Sequence, residues 1–83
     1  MTQPTKPIAE VKYGMIVASI WRNETEKGVR HNVTLSRLYK TEEGQWKRSD
    51  SFGRDDLLLV AKVADLAHSK IIALSERPDE ERV

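Results

Sequence analysis

The chain has 83 residues, of which 39% are hydrophobic, no cysteine, and a formal net charge of +1. This length predicts one domain near the lower size limit for a self-sufficient core, so a second copy of the chain would help to stabilise it. The lack of cysteine excludes disulfides and thiolate metal sites, and no apolar run is long enough to span a bilayer or form a signal peptide. We therefore expect a cytoplasmic protein that does not insert into membranes.

Strand patterns fill the middle of the chain after a Pro-bearing, polar segment 1–7 that we expect to be disordered. Alternating apolar and polar side chains predict strands over 13–22, 29–40 and 45–52. Polar segments that end in glycine separate these strands and suit hairpin turns. The order predicts an antiparallel meander of three to four strands.

The register of each hairpin follows from bringing the apolar faces together. In the first hairpin this pairs Ile16 with Leu35, and in the second it pairs Tyr39 with Trp46. Tyr39 and Trp46 are therefore expected on the core side of the sheet. A slip of two residues would change neighbours without changing faces.

A helix is predicted after Phe52, where the hydrophobic period changes. Ser51 or Gly53 can cap it, and Asp55 and Asp56 suit the positive end of the helix dipole. The apolar residues expected to pack on the sheet are Leu57, Val60, Ala64, Ala67, Ile71 and Leu74. The remaining apolar residues exceed what one small sheet covers and are predicted to form a dimer interface: Leu59, Val63, Leu66 and Ile72.

The expected fold is α+β, with a curved antiparallel meander followed by one long C-terminal helix on one sheet face, assembled as a dimer. Residues 8–75 form the single domain, and 76–83 form a charged, flexible tail.

Catalytic and metal-binding patterns are scarce in this chain. His31 and His68 are the two histidines, and neither lies in a paired metal-ligand spacing. No serine lies in a nucleophile motif, and no glycine-rich phosphate loop is present. We expect no enzyme activity, no metal and no cofactor.

The polar side of the predicted sheet has the chemistry of a nucleic-acid surface. Arg30, Lys40 and Lys47 supply positive charge, Asn32 supplies hydrogen-bond donors, and Trp21 supplies a ring on which a base can stack. The alternative is that this face is merely solvated, since lysine, arginine, serine and threonine are common on exposed strands.

The strand order and one segment of the sequence resemble the positive-cofactor-four type of transcriptional coactivator and its small bacterial relatives. That segment contains Val33-Thr-Leu-Ser-Arg-Leu-Tyr39, an acidic turn ending at Gly44, Gln45-Trp46-Lys47, and Asp56-Leu57 at the start of the helix. The resemblance spans about residues 14–72. It implies a curved sheet backed by one helix, dimerisation through the helices, and single-stranded DNA along the sheets.

The resemblance also implies positions for the ligand. Base stacking would fall on Trp21, and phosphate contacts would fall on Arg30, Arg37, Lys40, Lys47 and Arg48. Residues 47–51 depart from the family pattern, because they are less basic than the coactivators' Gly-rich stretch and include Asp50.

The leading hypothesis is a homodimer that binds single-stranded DNA or RNA with little sequence preference, in a role such as transcriptional regulation. The second hypothesis is a small protein-interaction or scaffold module with no nucleic-acid role, whose basic face would bind an acidic protein.

Overall fold

The computed structural model describes residues 6–75 as one antiparallel sheet followed by one helix. The strands are β1 (Ala9–Tyr13), β2 (Ile16–Thr25), β3 (Gly28–Lys40) and β4 (Trp46–Ser49), and they neighbour one another in chain order. A short 3-10 turn over Arg54–Asp56 leads into the helix α1 (Leu57–Ser75). The predicted α+β meander with one C-terminal helix is confirmed. Residues 1–5 and the predicted tail 76–83 lie outside the described part of the chain.

The core lies between the helix and strands β1 and β2. Ile16, Ala18 and Ile20 of β2 are buried together with Val63 and Ala67 of the helix. These β2 residues alternate along the strand, so one face of the sheet meets the helix while the other does not. The helix packs mainly on β1 and β2 and only slightly on β3.

Strand β1 accounts for two of the four helix residues that we had expected to lie at a dimer interface. The prediction began the first strand at Tyr13, whereas in the structure Ala9–Tyr13 is a separate strand paired with β2. The wider sheet offers more surface, and Val63 is fully buried against it while Leu59 packs on the same cluster. Val63 and Leu59 therefore contribute to the core of the single chain.

The rest of the predicted helix stripe is partly confirmed. Val60, Ala67 and Ile71 pack on the core as expected. The prediction was wrong for three other residues, which are exposed: Leu57, Ala64 and Leu74. They lie on parts of the helix that the β1–β2 surface does not cover.

The predicted register of the first hairpin was wrong by two residues. Ile16 pairs with Arg37, and Ala18 pairs with Leu35, because β2 extends to Thr25 and a two-residue turn leads directly to Gly28. The slip leaves the faces unchanged, since side chains alternate with a period of two.

The predicted register of the second hairpin was wrong by one residue, and this error changes a face. Trp46 pairs with Lys40, and Tyr39 pairs with Lys47. The Gly44 N–H donates to the carbonyl of Thr41 at 2.9 Å, and Gly44 has a φ of +87°. This turn has one more residue than the even-length loop we expected, so Trp46 lies on the side of the sheet away from the helix.

Candidate functional site

The sheet face opposite the helix, called here the open face, has side chains from all four strands. Its members are Glu10, Lys12, Val17, Ser19, Trp21, Asn23, Thr25, Arg30, Asn32, Thr34, Ser36, Leu38, Lys40, Trp46 and Arg48. Four of these are basic and one is acidic, which gives this face a formal charge of +3. The whole chain carries only +1, so positive charge is concentrated on this face.

Trp21 lies in the middle of the β2–β3 ladder, one residue beyond the end of the β1 pairing, and its indole is oriented by β3. Its Nε1–H donates to Thr34 Oγ1 at 2.9 Å, and Trp21 is paired with Asn32 across the β2–β3 ladder. Arg30 lies two residues before Asn32 on β3. It is exposed and makes no ion pair within residues 6–75. An aromatic ring, an amide and a free guanidinium therefore lie close together.

Trp46 forms a second aromatic position on the open face, at the start of β4. Its side chain is 57% exposed, and Lys40 Nζ lies 5.8 Å from the ring centroid. A lysine at this distance is in cation–π range of the ring. The pair presents an exposed indole next to a positive charge.

A polar bridge crosses the open face between its two outer strands. Arg48 of β4 donates to Ser36 Oγ at 3.4 Å, and its Nη2 lies 3.6 Å from Glu10 Oε2 of β1. The same carboxylate oxygen accepts a hydrogen bond from Ser19 Oγ at 3.1 Å. This bridge explains why Ser19 is only 3% exposed on a face that no helix covers.

The bridge spans three strand spacings of the open face. Neighbouring strands lie about 4.8 Å apart, so the contact between Glu10 of β1 and Arg48 of β4 crosses about 14 Å. Val17 and Ser19 of β2 lie on the same face, and both are buried.

Five of the seven predicted ligand-binding residues share the open face, and two do not. Those on it are Trp21, Arg30, Asn32, Lys40 and Arg48. Arg37 and Lys47 lie on the helix side. Arg37 connects the sheet to the start of the helix: its Nε donates to the Ser51 carbonyl at 3.1 Å and lies 3.5 Å from Asp56 Oδ2.

Two residues of the open face were missed by the sequence prediction. Lys12 lies in the part of β1 that was not read as a strand, although the sequence Ala9–Tyr13 does alternate. Trp46 was assigned to the core because of the register error. The sequence signal for the correct face was Gly44. Its positive φ fits a turn with one residue more than predicted, and this extra residue places Trp46 on the open face.

The four residues predicted at the dimer interface occupy different environments. Val63 has no exposed surface, and Leu59 and Leu66 are half-buried. Ile72 is 46% exposed near the end of the helix. Of this set, Ile72 has the most surface available for a partner.

Neither a metal-ion cluster nor a membrane-spanning helix occurs in residues 6–75. Within residues 6–75, no three His, Asp or Glu side chains are grouped closely enough to hold a metal ion. None of the described helices has the length and apolarity needed to cross a membrane. Comparison of the chain with protein-family models, with curated proteins and with solved structures finds no match.

Proposed function

We propose that this protein binds single-stranded DNA or RNA on its open face with little sequence preference. The observation that carries the proposal is that two tryptophans, Trp21 and Trp46, share one sheet face with four basic side chains. Stacking on a ring does not depend on which base is present, and positive charge attracts every phosphate equally. The proposed role is therefore in holding exposed strands.

The side chains of the open face divide the work of binding. Trp21 and Trp46 offer stacking surfaces, while Lys12, Arg30 and Lys40 offer charge along the strands. With these three cations contacting phosphates, the logarithm of affinity should fall with the logarithm of salt concentration with a slope of about −2. Asn32 and Thr34 supply hydrogen-bonding groups between the aromatic positions.

The test is a titration of fluorescently labelled oligo-dT with the protein at low salt, followed by anisotropy. Saturable binding that weakens with salt is expected. Trp21→Ala and Trp46→Ala should each weaken binding by roughly 1–3 kcal/mol if the rings stack on bases. Absence of binding at tens of micromolar protein would end the proposal.

Tyr13→Ala is the matched control for the tryptophan variants. Tyr13 is 51% exposed but pairs with Ile16, on the helix side of the sheet. Removing this ring should leave oligo-dT binding unchanged. A loss equal to that of Trp21→Ala would mean that the open face is not where the oligonucleotide lies.

The alternative function is a protein-interaction module, and the polar bridge favours it. Arg48 already holds the carboxylate of Glu10, which shows that this face accommodates a carboxylate in contact with its arginine. A partner rich in Asp and Glu would exploit the same complementarity. Binding to such a protein without competition from oligo-dT would favour this alternative.

The cellular setting is part of the same proposal. The resemblance to positive-cofactor-four coactivators supports a homodimer in transcriptional regulation, and the cysteine-free composition supports a cytoplasmic location.

A further inference from the structure

We propose that two copies of this chain pair through the free edge of β3 and so extend the sheet across the dimer. The relevant segment is Gly28–Thr34, which is bonded to β2 on one side. Strand β4 pairs only with Arg37–Lys40, so the other edge of 28–34 has no partner strand within residues 6–75. This mode differs from a helix interface and does not depend on nucleic-acid binding.

The direction of the backbone groups along this edge follows from two observed hydrogen bonds. The Leu38 N–H donates to the Met15 carbonyl on the β2 side, and the Thr41 N–H donates to the Gln45 carbonyl on the β4 side, both at 2.8 Å. These directions alternate along an antiparallel strand. The backbone N–H and C=O groups of odd-numbered β3 residues therefore point away from β2. The free N–H and C=O groups therefore belong to Val29, His31 and Val33.

The edge has few of the features that prevent strand pairing. Residues 28–34 contain no proline, lysine or acidic residue. The side chains of Val29 and Val33 are 46% and 37% exposed on the helix side, where the helix hardly reaches β3. An unpaired edge with exposed β-branched residues is a template for another strand.

A second copy fits this edge in a self-complementary register. With the two-fold axis at His31, Val29 lies opposite the second copy's Val33, and Arg30 lies opposite the second copy's Asn32. Each outward-facing residue then exchanges two backbone hydrogen bonds, which makes six across the seam. A register with the two-fold axis at Arg30 would instead place Arg30 opposite the second copy's Arg30, and these like charges would repel each other.

The register shifted by one in the other direction meets an obstruction. Centring the axis on Asn32 would bring Leu35 into the seam, next to the segment after β4. That segment stays beside β3, because the Ser51 carbonyl accepts a hydrogen bond from Arg37 Nε. The register centred on His31 uses only residues 28–34 and avoids this contact.

The proposed seam joins the two open faces. Arg30 and Asn32 point to the open face, and Trp21 is paired with Asn32 in each copy. The Trp21 side chains of the two copies would then lie on either side of the two-fold axis, on one continuous surface. A strand pair of this length buries less than the roughly 1,200 Å² of a standard interface. We therefore expect monomer and dimer to be in equilibrium at micromolar protein concentration.

The test is the oligomeric state of the full chain, measured by sedimentation from low micromolar to high concentration. A monomer–dimer equilibrium is expected for the wild type. His31→Glu places two carboxylates opposite each other at the axis and should weaken the dimer by roughly twofold to fivefold. Asn32→Glu places a carboxylate opposite the second copy's Arg30 in two symmetry-related pairs, so it should strengthen the dimer by a larger factor than His31→Glu weakens it.

The two variants are matched, because each adds one carboxylate at adjacent positions of the same strand. Opposite effects support the register, whereas equal effects would overturn it. Ile72→Lys is the control for a helix interface and should leave the equilibrium unchanged. A dimer that Ile72→Lys abolishes and the β3 variants do not affect would overturn the proposal, as would a monomer at every concentration.

Amide hydrogen exchange gives a second measurement that needs no substitution. The N–H groups of Val29, His31 and Val33 should exchange more slowly as protein concentration rises, because they become bonded across the seam. The N–H groups of Lys12 and Arg48, on the outer strands, should show no such dependence. Equal exchange of the three β3 amides at all concentrations would contradict the pairing.

Discussion

The carboxylate of Glu10 lies 3.6 Å from Arg48 and occupies a guanidinium that the proposed nucleic-acid ligand could use for a phosphate. Glu10→Gln removes this negative charge and keeps an oxygen that can accept from Ser19 Oγ. We expect the variant to bind oligo-dT roughly threefold to tenfold more tightly at low salt. The salt slope should become steeper by about 0.7, because one more phosphate contact becomes available. Anisotropy titrations at several salt concentrations measure both effects.

Glu24→Gln is the control for this change. It raises the net charge by the same amount, but Glu24 pairs with Val29 on the helix side and its carboxylate contacts Arg22 at 2.8 Å. Its effect on oligo-dT binding should be small because exposed charges are screened beyond about 10 Å. Equal tightening by the two variants would show that net charge, and not release of Arg48, controls affinity.

Gly14 is held in a conformation and at a distance that favour glycine. Its φ is +63°, and a Cβ at this position would lie 3.2 Å from Leu59 Cδ1. Gly14→Ala should therefore lower the free energy of unfolding by about 1–3 kcal/mol. Urea denaturation followed by circular dichroism measures the change.

A second substitution separates the two causes of the Gly14 effect. In a Leu59→Ala background the Cδ1 atom is gone, so Gly14→Ala should cost only the backbone term. An unchanged cost in that background would show that the contact with Leu59 contributes nothing.

At the scale of elements, Arg37 fastens β3 to the beginning of the helix. It contacts the Ser51 carbonyl and the Asp56 carboxylate, and that carboxylate also accepts from the Gly53 N–H at 2.8 Å. Arg37→Met should lower the free energy of unfolding by about 1 kcal/mol, since both charged groups remain partly exposed. Oligo-dT affinity should stay unchanged, because Arg37 does not lie on the open face.

Arg30→Met should give the reverse result. Arg30 is exposed on the open face and makes no ion pair within residues 6–75, so its loss should weaken oligo-dT binding and leave stability unaffected. Denaturation and anisotropy on both variants measure the contrast. Equal loss of oligo-dT affinity in both would return Arg37 to the binding site.

The alternation of β2 and β3 was enough to predict which of their side chains share a face. It correctly grouped Trp21, Arg30, Asn32 and Lys40, because a strand's faces depend only on whether residue numbers are odd or even. The faces of the residues after the second turn could not be predicted in this way, because they depend on the geometry of that turn. Whether Trp46 joins that group depends on one residue in a turn, and the φ of Gly44 is set by the folded chain.

The helix shows a second limit of the sequence prediction. Its apolar residues were recognised, but deciding which of them face the sheet requires the width of the sheet. Strand β1 is short and follows Pro7, and a turn at Gly14 separates it from β2. The sequence pattern therefore predicted one strand where the structure has two. Residues reserved for a partner, such as Val63, therefore proved to be core.

The whole molecule is long and flat, with principal extents of 50 × 29 × 17 Å. The length comes from β2 and β3, whose far ends extend beyond the pairing of both outer strands. This shape exposes a large surface for so short a chain, and the open face follows its long direction. A ligand that is itself extended, such as a single strand, makes the fullest use of this surface.

The distance between the two tryptophans predicts how affinity should depend on strand length. Trp21 is paired with Asn32 and Trp46 with Lys40, and these partners lie eight residues apart on β3, or about 27 Å. A strand too short to cover this distance stacks on one ring only. We expect affinity for oligo-dT to rise steeply at one length, within the range of about 4–16 nucleotides, and then to level off.

The single variants make this prediction specific to the two rings. With Trp46→Ala or Trp21→Ala the steep rise should disappear, and both variants should show a similar residual affinity for long strands. Tyr13→Ala should keep the rise, because its ring lies on the helix side. Anisotropy over a series of oligo-dT lengths measures this for each protein. A rise that persists without either tryptophan would mean that charge alone sets the binding length, since phosphate contacts accumulate with length whether or not any base stacks.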